Sequence, residues 1–316
     1  MRLMARRIGE PDGFGRVVLL TGGDSAEREI SLISGRFVAA ALERLSVDFV
    51  PIDPADGDLA DQLRAAGAER AFVILHGPGG EDGTVQGALE FLGIPYTGSG
   101  VLGSALAMDK LRTKQIWQTL GIPTPDYAWV RPGDALAPVL DRLDLPLFVK
   151  PSHEGSSLGM SRVDRAEDLA AAVAEAAGLD QDVLVERLVD GPEYTVSVLA
   201  GQALPSIRID TPREFYDYEA KYFADDTNFL CPSDLEPEVE AEAAKLSLAA
   251  FDAIGGTGWG RVDFMRGDDG RLWFLEVNTV PGMTDHSLVP MAVRAVGADY
   301  DELVWRILET SIGDAA

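Results

Sequence analysis

From Arg16 onward the chain alternates short β-rich runs with helical ones, and near Asp109 that alternation gives way to close β-returns. "RVVLLTGG", "EREISLISGRFVAAALERL", "VDFVPID", a short helix near Leu59 to Ala66, "AFVILHG" and "GTVQGALEFLG" make a βαβ series, hence a mostly parallel sheet. Ligands of such sheets bind beyond the carboxyl ends of the strands, where "TGGDSAERE" and "LHGPGGEDG" fall. The first lacks the third glycine of a dinucleotide fingerprint, and no GxxxxGK[ST] occurs, which disfavours a classical Rossmann oxidoreductase and a P-loop NTPase.

Beyond Asp109, "MDKLRTKQIWQTLG" reads as a helix with a terminal Gly and "IPTPDYAWV" as the approach to a strand. "LPLFVKPSHEGSSLGMSRV" reads as strand, small-residue loop, strand; a helix "RAEDLAAAVAEAAG" and two strands in "DVLVERLVDGPEYTVSVLAG" follow. This part is antiparallel and α+β in character. A third part holds the strand "LPSIRID", the long loop "TPREFYDYEAKYFADDTNFLCPSDL", a helix around Pro237 to Ile254, a polar hairpin and two closing helices. The loop is too long for an incidental connection, and its aromatics and Lys221 favour a lid over disorder.

The composition bounds the partners. A net charge of −25 argues against nucleic acid or an anionic membrane surface. No apolar run of about 18 residues suggests a membrane span. Cys231 is the one cysteine, which suits a reducing cytoplasm and offers neither a disulfide nor a thiolate zinc site. The basic opening "MRLMARRIGEPDGFG" lacks an apolar core and is predicted to be a disordered extension over residues 1–15. Of 27 basic residues only Lys110, Lys114, Lys150, Lys221 and Lys245 are lysines. Where Arg is the default cation, a retained Lys marks a place for a compact point charge, and Lys150 closes an apolar strand.

The hairpin "GRVDFMRGDDGRLWFLEVN" turns through Gly267-Asp268-Asp269-Gly270, yet its strands carry Arg261, Asp263, Glu276 and Asn278. Setting Arg266 opposite Arg271 puts Val262, Phe264, Trp273, Leu275 and Val277 on one face and the four polar residues on the other. Asp263, Glu276 and Asn278 then offer converging oxygens to a hard divalent cation. An ordinary solvated face with Arg261 paired to Glu276 is the alternative from this stretch alone. "KPSHEGSSLGM" likewise suits either a phosphate cradle with Lys150 or a plain hairpin loop. Of the histidines, His76 ends a buried-looking strand beside glycines, whereas His153 and His286 lie in loops. Glu27, near a cap at Ser25, is read as a dipole-complementing acid until its neighbourhood is considered.

The order of "GGDSAEREISL", "LHGPGGEDGTVQG", "PYTGSG", "MDKLRTK", "VKPSHEGSSLGMS", "FYDYEAKY", "GWGRVDFM" and "EVNTVPGMTDHSLVP" resembles the D-alanine:D-alanine ligases of the ATP-grasp superfamily, from about Arg16 to Ile312. The resemblance implies an α/β and α+β, three-domain ATP-grasp architecture. Its expected parts are an N-terminal parallel-sheet domain (16–109) that binds substrate, a central subdomain (110–193) and a C-terminal catalytic domain (194–316), the last two gripping ATP. It implies that ATP phosphorylates one D-alanine and the amine of a second displaces the phosphate, for peptidoglycan synthesis. Two Mg²⁺, with Mn²⁺ as a substitute, would sit on Asp263, Glu276 and Asn278.

By the same resemblance Lys110, Lys150 and Lys221 face ATP, Ser157 lies in the loop closing on its γ-phosphate, Glu186, Arg187 and Val189 meet adenine, and Glu193 meets ribose. Glu27 takes the first substrate's ammonium with His76 beside its carboxylate. Arg261 and Gly282 face the oxyanion, and Ser287 and Leu288 the second carboxylate. Tyr222 joins Glu27 and Ser156 in a triad, and a Tyr there favours an amine over D-lactate. A cytoplasmic homodimer is expected. The chain departs from the family at Arg187, where Lys is common, at His153 and Pro78, where Arg is frequent, and at Val280, where Ser is usual. A non-catalytic ATP-binding regulator has no need of Arg261, and a ligase for other substrates has no need of "SAERE" and "TDHSL".

Overall fold

The computed structural model describes residues 3, 6–155, 159–211 and 227–312. The predicted βαβ series forms a parallel sheet, β2-β1-β3, from β1 (Val17–Leu20), β2 (Phe49–Ile52) and β3 (Arg70–Val73). Between and after these strands run α1 (Arg28–Arg44), α2 (Leu59–Ala66) and α3 (Thr84–Leu92). At α2 the local chemistry sets the ends: the Asp58 carboxylate accepts from Asp61 N, and Gly67 closes the helix with φ 65° and ψ 41°. Next comes α4 (Val101–Met108), whose apolar "VLGSALAM" gave no helical stripe to read, and then α5 (Lys110–Leu120). Asp109 caps α5 by accepting from Arg112 N.

A second sheet, β4-β7-β5-β6, is wholly antiparallel and comprises β4 (Tyr127–Val130), β5 (Leu147–Pro151), β6 (Ser161–Val163) and β7 (Val183–Arg187). Val130, Leu147, Val149, Val183 and Val185 pack on α6 (Ala137–Leu140) and α7 (Leu169–Ala177). The two-residue period of a strand therefore turns Phe148, Lys150 and Glu186 to the opposite face. The third sheet runs β11-β10-β8-β12-β13 from β8 (Glu193–Leu199), β10 (Ile207–Asp210), β11 (Asn228–Leu230), β12 (Trp259–Arg266) and β13 (Leu272–Asn278), with β9 (Gln202–Ala203) beside β8. One face of it packs on α8 (Pro237–Ala253). The closing helices, α9 (Leu288–Ala295) and α10 (Tyr300–Glu309), share one core with the parallel sheet, so Val289, Leu303 and Ile307 cluster with Val17 and Phe72.

Three expectations are corrected. Residues 6–15 are no disordered extension: Phe14 is buried edge-on against Trp305 (centroids 4.8 Å), and Arg7 N and Ile8 N donate to Glu309 Oε1 at 2.6 and 2.8 Å. The end of the long loop forms β11, antiparallel to β10, while residues 212–226 lie outside the described residues.

The hairpin register also differs. Asp263 pairs with Glu276 and Arg261 with Asn278, then a bulge shifts the ladder so that Phe264 pairs with Phe274. The bulge lets Leu272, Phe274 and Val277 join Val262 and Phe264 in the core, while Trp273, opposite Met265, and Leu275 do not. A regular ladder would have set Phe274 among the polar residues. Desolvating that ring through the bulge is the stronger preference.

Candidate active site between the two antiparallel sheets

A cavity of about 450 Å³ opens between the second and third sheets. Phe148, Met160, Met265 and Leu275 provide apolar lining, while Lys150, Glu186, Arg187, Val189, Glu193 and Glu276 bring polar atoms or backbone to its wall. The β5–β7 register explains one part of this. Phe148 faces Glu186 and Lys150 faces Leu184, so Lys150 and Glu186 are diagonal neighbours, with Nζ 3.0 Å from Oε2. Arg187 lies over the Trp273 ring at 4.8 Å, so the bulge that turned Trp273 out of the core also supplies a contact between the two sheets.

At one side of the cavity stands Glu276, with its cross-strand partner Asp263 beside it on the hairpin. Arg261 grips Asp263 with a fork, Nε to Oδ1 at 2.8 Å and Nη2 to Oδ2 at 2.7 Å. Asn278 Nδ2 donates to Asp263 Oδ2 at 3.0 Å, and Thr195 Oγ1 donates to Oδ1 at 2.6 Å. Thr195 is the cross-strand partner of Asp263 from β8 and is fully buried; sequence reasoning missed it because no local pattern marks it. The expected alternative of Arg261 on Glu276 is replaced by this fork. Glu276 Oε2 lies 3.7 Å from Lys110 Nζ, which also donates to Glu154 O at 2.6 Å. Lys110 thus reaches from α5 to both the hairpin and the Gly/Ser loop.

Arg261 also lines a second cavity of about 220 Å³ with Ile30, Phe37, Gly282, Ser287 and Leu288. Near it His76 is buried in the segment that follows β3, its Nδ1 2.8 Å from Val280 O and its Nε2 3.3 Å from Ser34 Oγ. A carbonyl only accepts, so Nδ1 carries the proton. Burial holds the imidazole below its ordinary pKa against the pull of Glu27, so the ring is neutral at pH 7. Glu27, immediately before α1, is buried too. A Cβ at Gly155 would stand 2.5 Å from Glu27 Oε1, so glycine there lets the Gly/Ser loop approach this acid. Glu81 is another residue that the sequence does not mark as functional, although it lies in "LHGPGGEDG". Its carboxylate accepts from Gly77 N (2.8 Å) and Val280 N (3.1 Å), tying the loop after β3 to the segment after β13. Desolvation, reinforced by Glu27, pushes its pKa up to about 8.

Ser156, Ser157, Lys221 and Tyr222 lie outside the described residues. His286 is exposed at the rim of the second cavity. His153 is placed differently, between Asp109 (Nε2 to Oδ2, 3.1 Å) and Asp180 (Nδ1 to Oδ2, 2.7 Å), at the root of the Gly/Ser loop. The hydrogen bond to Asp109, helped by Asp180 and opposed by burial, raises its pKa from 6.5 to about 9. A folded-state pKa above the unfolded one gives stability that is complete below about 6.5 and lost as pH rises through 9. The melting temperature of His153→Gln is expected to fall below that of the unaltered protein by about 2 °C at pH 6, a value discounted for solvent screening, and the gap should close by about pH 10. Thermal scans across that range check it.

Comparison with known proteins fits this geometry. The family profile described as D-ala D-ala ligase C-terminus matches residues 116–309, and that described as D-ala D-ala ligase N-terminus matches residues 55–99. The chain belongs to the D-alanine–D-alanine ligase family. The D-alanine–D-alanine ligase of Alkalilimnicola ehrlichii is 58% identical over 295 residues, 93% of this chain and 94% of that protein. The Pseudomonas putida ligase is 56% identical over 95% of this chain and 94% of its own length. Among solved structures, the Bacillus anthracis ligase complexed with ATP superimposes with a TM-score of 0.84 at 35% identity, covering 94% of this chain and 97% of that one. The VanG D-Ala:D-Ser ligase of Enterococcus faecalis gives 0.83 at 27% identity, covering 94% and 99%. The family and the ATP-grasp architecture expected from the motifs are borne out.

Proposed function

We propose that the chain joins two D-alanine molecules at the expense of ATP, through a D-alanyl phosphate, releasing ADP and phosphate and supplying D-Ala-D-Ala for peptidoglycan precursors. The observation that carries this reading is the position of Arg261, which grips Asp263 and also lines the second cavity. One guanidinium is thereby set between a phosphate-handling hairpin and a pocket of amino-acid size, where negative charge develops when an amine attacks an acyl phosphate.

ATP would lie in the larger cavity, its base among Phe148, Met160 and Leu275 against Glu186, Arg187 and Val189, and its ribose on Glu193. Lys110 and Lys150 would hold the phosphates, with Ser157 and Lys221 completing the nucleotide site. Glu27 would take the first ammonium and neutral His76 would pack beside its carboxylate. Gly282 N would assist Arg261, and Ser287 and Leu288 would hold the second carboxylate. Tyr222 would join Glu27 and Ser156 over the closed site and favour the amine nucleophile.

Asp263, Glu276 and Asn278 fit Mg²⁺: their oxygen-bearing groups adjoin on one face of the hairpin, Asp263 is buried and already satisfied by donors a cation could replace, and no soft ligand intrudes. When bound there, the ions would neutralise phosphate charge, with Mn²⁺ able to substitute. Domains of residues 16–109, 110–193 and 194–316, a homodimer and a cytoplasmic location complete the proposal; among the described residues no helix is long and apolar enough to cross a membrane. The test is ADP release with ATP, Mg²⁺ and D-alanine, with product masses. Release dependent on D-alanine with a dipeptide product is expected; release with L-alanine alone, or ATP binding with no turnover, would overturn the reading.

A further inference from the structure

Lys114 sits on α5 with no exposed surface, and neither binding nor chemistry has yet given it a task. Its Nζ lies 2.9 Å from Glu186 Oε1, while the other oxygen of that carboxylate lies 3.0 Å from Lys150 Nζ. Two buried ammonium groups therefore flank one buried carboxylate. Burial would push the Glu186 carboxyl up, but the two lysines outweigh it and hold it below the ordinary carboxylate range. Burial lowers Lys114 to about 8 against the pull of Glu186, with Lys150 repelling it and Glu276 supporting it more remotely; the Tyr127 ring lies 5.9 Å away.

One lysine would neutralise Glu186, and burying a second costs desolvation without need. The excess makes sense if one of the two leaves. Lys150 borders the large cavity, whereas Lys114 does not line it. Lys114 is also anchored: its Nζ donates to Thr124 Oγ1 at 2.6 Å, and that hydroxyl donates to Phe274 O at 2.9 Å. Lys114 is thus held to the framework, while Lys150, paired with the same carboxylate, stands at the cavity wall.

We propose that Lys114 is a positioning residue that keeps Glu186 ionised and in place, so that Lys150 can release it and turn to the nucleotide phosphates without stranding a buried carboxylate. This rests on the proposed placement of Lys150 on the phosphates. An unpaired Glu186 would have to take up a proton, and that proton is what an experiment can count.

The experiment is calorimetric titration of the full chain with ATP, and with adenosine as a probe lacking phosphates, at pH 7.5 in two buffers of different ionisation enthalpy. Lys114→Met is expected to weaken ATP by about tenfold or more, a usual size for coupled sites, while adenosine changes little. ATP binding to it should take up one more proton than binding to the unaltered protein. Adding Glu186→Gln should restore most of the ATP affinity relative to adenosine, because no carboxylate remains to strand. Equal losses for ATP and adenosine, no extra proton, or no rescue in the double variant would overturn the proposal. If Lys114→Met does not fold, Glu186→Gln alone decides: it should keep or raise the ratio of ATP to adenosine affinity, and a fall refutes the idea. Lys150→Met separates the two readings. An unchanged ATP affinity there removes Lys150 from the phosphates, whereas a loss there with none in Lys114→Met defeats only the role of Lys114.

Discussion

Replacing Arg261 with Met is expected to lower kcat by about 10²–10³-fold, the usual cost of losing one oxyanion donor, with little change in the KM for ATP. The guanidinium is mostly buried, so its charge acts where water screens poorly. It contacts Asp263 and lines the second cavity, but it does not line the larger cavity, where ATP is proposed to lie. Ground-state nucleotide binding should therefore survive its loss. Metal affinity should hold or rise, since a cation competing for Asp263 has been removed. Met retains much of the apolar stem, which limits the packing loss. Steady-state kinetics with metal titration check this; a loss of metal affinity matching the loss of rate would mean that Arg261 serves only to orient Asp263.

Asp263→Asn should do more damage, cutting turnover by about 10³-fold or more, because a bound ion supplies several kcal/mol of charge stabilisation during phosphoryl transfer. Its carboxylate is the meeting point of Arg261, Asn278 and Thr195. An amide keeps the shape and one acceptor but sets its own N–H groups against donors. It also strands the Arg261 charge, so a stability loss of about 1–3 kcal/mol accompanies the loss of rate. The two effects separate by measurement. Mn²⁺ binding in the presence of ATP, read by electron paramagnetic resonance, should weaken in Asp263→Asn and not in Arg261→Met. Full Mn²⁺ affinity in Asp263→Asn would remove Asp263 from the proposed metal site.

How much of this was legible in the sequence depended on whether the signal was local. The bounds of α2 follow from Asp58 and Gly67, and α5 from Asp109 and Gly121, because capping is written within a few residues. Lys150 and the polar hairpin stood out because a charge inside an apolar run needs a reason. The register of that hairpin was not legible, since the bulge exists to turn Phe274 inward and Trp273 outward, a choice made by α8 and Arg187 and not by the loop. The fixing of residues 6–14 by Trp305 and Glu309 was hidden for the same reason, as its partners lie at the other end of the chain. Thr195, Glu81 and the pairing of Lys114 with Glu186 are likewise cross-strand or inter-element contacts. The motifs named the family through their order, while the supporting residues became visible only in three dimensions.

The most direct measurement follows oxygen from D-alanine labelled with ¹⁸O in its carboxylate through the reaction with ATP. If the chain activates the first substrate as an acyl phosphate, one labelled oxygen leaves with inorganic phosphate for each dipeptide formed. Dipeptide formation with unlabelled phosphate would contradict the transfer of the γ-phosphoryl group to that carboxylate, and with it the roles given to Arg261 and the hairpin.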